Sequence, residues 1–184
     1  MNQAISNALL FNIVIVFVIV LIGFFVGSLS YSKASKVKNR IIEEIEKYGE
    51  SADDQEDIDN AYKDAACGIL TWLENGDTDN GVGIGYRKIG SSTRQCPDLN
   101  IKTDERENLK VDTVSSITNS EDCKYTSNPY EYCVYMIKRC NVNKKSCYTY
   151  YRVRTYMYFD VPIIEDLVKI PVDGETMGFR IKNS

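Results

Sequence analysis

The sequence predicts an α+β fold: a long N-terminal helix, half membrane-spanning and half amphipathic, packed on a small antiparallel sheet and stapled by disulfides. Three observations predict it. Ala8–Leu29 is apolar except for Asn12 and Ser28. The chain beyond it keeps a helical apolar stripe, with no Pro or Gly after Gly27 until Gly49. Six cysteines accompany two alternating, tyrosine-rich runs near the C-terminus that read as a hairpin.

The first element follows from length. About 20 apolar residues, rising 1.5 Å each, cross a hydrocarbon layer of roughly 30 Å. Lipid offers no partners for loose N–H and C=O groups, so a single crossing must be helical. A cleavable secretory signal is the alternative. No Lys or Arg precedes Lys33, the apolar run exceeds a signal's core, and Gly27-Ser28-Leu29 is a poor cleavage site. The reading is a retained helix over residues 1–29, an amphipathic continuation over 30–50 and an extracellular domain over 51–184. Within the span, Gly23 and Gly27 form a small-xxx-small step and Asn12 is polar, which suits packing against like helices. Gly is also simply frequent in membrane helices, an equally serious account.

Composition narrows the function. The 155 residues from Ser30 to Ser184 suffice for one domain with its own core. Net charge is −4, and Gly49–Asp79 holds ten acids against Lys63 alone, which argues against nucleic-acid binding. There is no histidine, the commonest acid–base catalyst and metal ligand. Candidate nucleophiles Ser91, Ser92 and Thr93 have no evident base, so no enzyme and no cofactor are expected. The acids of residues 53–57 lack the spacing of a calcium loop, and Asp77–Gly81 is only a fragment of one. A solvated acidic face is expected. The cysteines (Cys67, Cys96, Cys123, Cys133, Cys140, Cys147) include no C-x-x-C pair, against a zinc or redox motif. Three disulfides in an oxidising space are expected, with reduced core cysteines as the alternative. Lys33, Lys36, Lys38 and Arg40 would place this end in the cytoplasm by the positive-inside rule. The cysteines say the reverse and are given precedence.

Ala34, Val37, Ile41, Ile45 and Tyr48 form the stripe of the amphipathic half. Arg40 with Glu44 and Glu43 with Lys47 are i,i+4 pairs, and Gly49 is the expected stop. A second helix is predicted over about Asp54–Glu74. Its core face is Ile58, Tyr62, Ala65, Ala66, Ile69, Leu70, Trp72 and Leu73. Val82–Ile89 alternates as a strand. Its glycines resemble a phosphate loop only superficially and suit close packing beneath the long helix. Leu109–Ile117 is a further strand. The hairpin joins Tyr132–Asn141 to Ser146–Val161 through Asn143-Lys144, which pairs Cys140 with Cys147, Met136 with Tyr151 and Val134 with Val153. Six cysteines allow 15 pairings. For the other four, nearness in sequence gives Cys67–Cys96 and Cys123–Cys133. Ile163–Val168 is expected to make one or two helical turns, and Glu175–Lys182 a last strand. Tyr148, Tyr150, Arg152, Arg154, Tyr156 and Tyr158 share one face of the hairpin. They are a candidate recognition face, or else the face that the long helix covers; the opposite face, with Tyr151, Val153, Met157 and Phe159, is the better helix partner.

The plan of a long helix on a small sheet resembles type IV pilins and pseudopilins. Two segments are similar to TadE-like minor pilins of Gram-positive bacteria: Tyr31–Gly49 (YSKASKVKNRIIEEIEKYG) and Tyr156–Thr176 (YMYFDVPIIEDLVKIPVDGET). The resemblance implies a non-catalytic minor subunit of a surface pilus or secretion filament. It implies a single-pass anchor, a C-terminal domain outside the cell, and as partners the membrane, other pilin-like subunits and a filament assembly machine. The sequence departs from pilins in having no acid before Glu43, where they carry a glutamate near the start of the mature helix, and no leader-peptidase site with a preceding basic leader. A minor or initiating subunit fits better than a major one. Two other classes share the plan: an anchored adhesin or receptor, and a viral envelope protein with an N-terminal anchor and a disulfide-rich ectodomain.

Overall fold

The computed structural model describes residues 2–77, 82–89, 96–99, 109–113, 123–125, 128–140, 147–158 and 169–180. Helix α1 (Asn2–Glu50) is unbroken over 49 residues. By length and composition its apolar half can cross a membrane: mean hydropathy reaches 3.2, and none of that stretch is buried. The second half is the opposite. Ala34, Val37, Ile41 and Ile45 are at most 1% exposed. Tyr48 does not join them; it is 40% exposed. The stripe continues through Gly49, four residues past Ile45, because the Phe179 ring lies directly over it. A β-carbon at Gly49 would meet that ring at 2.5 Å. Gly49 therefore serves as a gap for an aromatic ring, and the helix runs on to Glu50.

Helix α2 (Gln55–Asn75) starts on Asp54, whose side chain accepts from the Asp57 N–H at 2.9 Å. Glu56 and Asp57 in its first turn complement the helix dipole. All eight residues expected on its core face are buried, along with Ala61. It ends at Gly76, whose N–H bonds the Trp72 carbonyl at 2.7 Å.

Four antiparallel strands form one sheet in chain order: β1 (Leu109–Thr113), β2 (Cys133–Cys140), β3 (Cys147–Tyr158) and β4 (Lys169–Glu175). The hairpin register pairs Val134 with Val153, Met136 with Tyr151 and Cys140 with Cys147. Both helices lie on the face made by Val134, Met136, Tyr151 and Val153, and the main core fills that layer. Hydrogen bonds tie the layers, two of them from buried side chains of β3. The Tyr151 hydroxyl donates to the Ile58 carbonyl at 2.6 Å, and Thr155 Oγ1 donates to the Ala34 carbonyl at 3.0 Å.

Several expectations are corrected. Residues 82–89 form no strand; only Lys88 bridges, to Tyr130. Their backbone is divided: the Ile89 N–H bonds the Pro129 carbonyl at 2.8 Å and the Arg87 carbonyl accepts from the Glu131 N–H at 3.2 Å, while the Ile84 N–H bonds the Leu73 carbonyl at the end of α2 at 3.3 Å. The close approach of Gly83 is to that end, not to the long helix. The last strand is β4, before Glu175 rather than after it, with Phe179 adding one bridge to Thr149. Pro171 and Gly174 sit inside β4, which is tolerated because β4 is an edge strand. The disulfides are Cys67–Cys123, Cys96–Cys133 and Cys140–Cys147. Cys67–Cys96 and Cys123–Cys133 do not form. Cys133 lies on the sheet face away from the helices, in a second small cluster with Tyr135, Ile137 and Tyr150, and Cys96 packs against that cluster. Cys67 is on α2, on the other side. The predicted turn at Asn143-Lys144, the helical turns of 163–168, residues 91–93, 114–117 and 181–182, and Phe159 lie outside the described residues.

Candidate functional site

The tyrosine–arginine face is not a free surface. Its strand alternates as expected, but the segment 96–99 packs over it, and the Tyr135 hydroxyl donates to the Pro97 carbonyl at 2.6 Å. Tyr150, Tyr156 and Tyr158 are buried, and Tyr148 is half-buried, stacked on Tyr150 with ring centroids 6.0 Å apart. The arginines are occupied. Arg152 pairs with Glu175, and Arg154 clasps Asp173 with two hydrogen bonds at 2.7 and 2.8 Å. A planar guanidinium satisfied in both directions by a carboxylate has little left to offer a partner. These pairs join β3 to β4, and the Asp173 carboxylate is the main reason that Arg154 holds its proton more firmly than usual.

Along α1, Asn12 is exposed, Gly23 half-buried and Gly27 buried. A β-carbon at Gly23 would meet nothing within 4 Å. Val20, Gly23, Phe24 and Gly27 line one side of an open apolar groove of about 520 Å³, and Met157 of β3 closes its end. This is the one element with a large uncovered apolar surface among the described residues, from Leu9 through Phe25 and on to Leu29. Such area is far beyond what a soluble monomer leaves open.

Where α1 turns from apolar to amphipathic, a second cavity of about 440 Å³ opens between Val26, Leu29, Ser30 and Lys33 on the helix, Gly85–Arg87, and Tyr156 and Tyr158 at the end of β3. The joint is well made. The Tyr158 N–H donates to Ser30 Oγ at 2.9 Å. The Tyr86 hydroxyl donates to the Glu131 carbonyl at 2.7 Å and accepts from the Tyr156 N–H at 2.9 Å. Burial pushes the Tyr86 hydroxyl well above its ordinary titration range and the Tyr156 hydroxyl up to about 12. Burial, then the Glu131 carboxylate, raises Tyr158 further. The Tyr158 hydroxyl is buried without a hydrogen bond. Charge at the rim is mainly positive. The Arg87 guanidinium lies 4.7 Å from the Tyr158 ring centre, and Lys169 lies 3.8 Å from that of Tyr156. Glu131 opposes them, engaged by Lys169 and, at 4.0 Å, by Arg87. Lys33 is exposed and makes no ion pair among the described residues.

The far end of α2 carries the remaining polar cluster. Asp77 accepts from Trp72 Nε1 at 2.5 Å and from Lys36 Nζ at 3.0 Å, and these bonds, Trp72's first, hold its carboxyl below the usual range. Glu74 is lowered likewise, first by Lys124 and then by Tyr125. Both clusters bolt α2 to its neighbours, and Trp72 and Asp77 also line an open pocket of about 400 Å³ with Cys67, Thr71 and Asn75. No group of three or more metal-ligating side chains exists among the described residues.

Sequence reasoning found the apolar groove but missed the cavity beside Lys33. Its only local signal is a tyrosine and a cation, Tyr86-Arg87, following the glycines Gly83 and Gly85. No protein-family model matches this chain, and no curated protein or solved structure is similar to it.

Proposed function

We propose that this protein is a membrane-anchored, non-catalytic subunit of a pilin-like surface filament, with its C-terminal domain outside the cytoplasm. The observation that carries the reading is the split character of α1. One unbroken helix of 49 residues touches almost nothing over its first half and forms the centre of the core over its second. An apolar helix left bare in the monomer needs lipid or other apolar helices around it. A filament subunit exchanges one for the other at nearly constant burial, and a groove floored by Gly23 and Gly27 allows the close helix approach this requires. Three disulfides support an oxidising location.

The test is fractionation of cells producing the full chain. It is expected in filaments sheared from the surface as well as in membranes. Gly23→Leu, placed where nothing crowds it, is expected to remain in membranes and leave the sheared fraction. Recovery of the wild-type chain from membranes alone would refute the filament reading. That outcome favours an anchored adhesin or receptor.

A further inference from the structure

We propose that the cavity beside Lys33 binds the phosphate of an anionic phospholipid in the leaflet from which α1 emerges. This rests on the membrane-anchored reading above. Three independent observations carry it.

The first is depth. Val26 and Leu29, at the end of the apolar half, form one wall, and Ser30 and Lys33 continue it upward. From Val26 to Lys33 the helix rises roughly 10 Å. That matches a headgroup zone several ångströms thick on each side of the hydrocarbon layer. A lipid phosphate therefore lies level with the cavity as soon as the helix is inserted. The second is chemistry. Lys33 and Arg87 line the opening and Lys169 sits against the Tyr156 ring beside it; among the described residues Glu131 opposes them, engaged by Arg87 and Lys169 but not by Lys33. Lys33 is uncommitted among the described residues, and a long, flexible ammonium stem can reach up to an interfacial phosphate. The third is an unmet need. Tyr158 is 9% exposed, lines the cavity, and has a buried hydroxyl without a partner. A phosphate oxygen would accept from it once the ring turns its hydroxyl toward the cavity. The tyrosines Tyr86, Tyr156 and Tyr158 also present the amphipathic rings that collect at membrane interfaces. Gly85 at the rim takes φ 67°, a left-handed backbone that favours glycine.

A bound lipid would seat the ectodomain on the bilayer at one rotation about α1. The cavity joins helix, loop and strand, and none of the three can turn without the others.

The experiment uses the full chain and two readouts. Flotation with phosphatidylcholine vesicles reports insertion. Native mass spectrometry of the chain, released from mixed phosphatidylcholine and phosphatidylglycerol vesicles, reports retained lipid. Flotation is expected for wild type and all variants. Phosphatidylglycerol is expected to be retained in preference to phosphatidylcholine. One cation near an anionic surface is worth about a fivefold change in affinity, so Lys33→Gln should lower retention by about that factor, and Lys33→Arg should restore it. Lys33 is exposed and unpaired, so these variants leave the fold intact; Tyr158→Phe is a second probe and should also reduce retention. Failure to float overturns the anchor and the pocket together. Flotation with equal retention of the two lipids, or with Lys33→Gln unchanged, overturns the pocket alone. Displacement of the lipid by millimolar inorganic phosphate would show a site for free anions and also overturn the lipid assignment.

Discussion

Gly83 is a position where a single added methyl group should be costly. Its β-carbon would stand 2.5 Å from the Glu74 carbonyl oxygen and 3.1 Å from that of Leu73. Both atoms are backbone at the end of α2, so neither can step aside. The neighbouring Ile84 N–H caps the same helix end, so the clash would pull a cap away as well. Gly83→Ala is expected to cost about 1–3 kcal/mol, read as a lower denaturant midpoint at unchanged slope. Gly68 supplies the contrast. It is exposed in mid-helix, and its added β-carbon would meet only Glu44 Oε2 at 3.8 Å. There Ala should raise stability by about 0.5–1 kcal/mol through the lower backbone entropy of the unfolded chain. If both changes had the same sign, the close approach at Gly83 would be wrong.

The disulfides belong to the scale of elements, because each ties an element to something its own sequence does not specify. Cys67–Cys123 fastens α2 to the segment carrying Lys124 and Tyr125, both of which also reach Glu74. Removing it with Cys67→Ser and Cys123→Ser should cost about 2–4 kcal/mol and loosen that segment first. Mapping under non-reducing conditions is expected to yield Cys67–Cys123, Cys96–Cys133 and Cys140–Cys147. A Cys67–Cys96 peptide would remove segment 96–99 from the outer sheet face. The contrast among these three bridges shows what the sequence makes legible. Cys140–Cys147 follows from local geometry, since period-two alternation and a short turn align both strands. The core of α2 is legible for the same reason at a period of 3.6. The other two bridges depend on which sheet face each cysteine occupies, and that is decided only when α1 and α2 choose the Tyr151 face. Strand β4 was hidden because Pro171 and Gly174 oppose strand propensity, and edge position overrides them. The cavity at Lys33 was hidden because three distant stretches, near Ser30, Tyr86 and Tyr158, build it together.

Across the whole molecule, tyrosine does the work that larger domains give to aliphatic side chains. Tyr62, Tyr130, Tyr132, Tyr135 and Tyr151 are among its largest fully buried side chains, with Tyr86, Tyr156 and Tyr158 at the joint between helix and sheet. The hydroxyls of Tyr86, Tyr135 and Tyr151 bind backbone carbonyls of other segments, which fixes orientation as well as burying area. That choice carries a liability at high pH. In the folded chain Tyr156 is raised from 10.0 to about 12, with Tyr86, Tyr151 and Tyr158 raised in the same direction, each mainly by burial. The folded state thus prefers the protonated tyrosine. The stability this contributes is complete below the unfolded value near 10 and is lost as pH climbs toward the folded values. The domain is therefore expected to unfold cooperatively as pH passes from about 10 to about 12. Tyrosinate absorbance should rise together with the loss of far-ultraviolet circular dichroism, rather than ahead of it. Lysine side chains in general also lose their charge near this range, so a control must isolate the tyrosines. Tyr158→Phe does so. Its hydroxyl makes no hydrogen bond of ordinary length to a described residue, so the variant should match wild type at neutral pH and lose less stability in alkali. Ordinary titration of every tyrosine with the fold intact, or a Tyr158→Phe variant as alkali-sensitive as wild type, would show that the buried hydroxyls do not govern the alkaline limit.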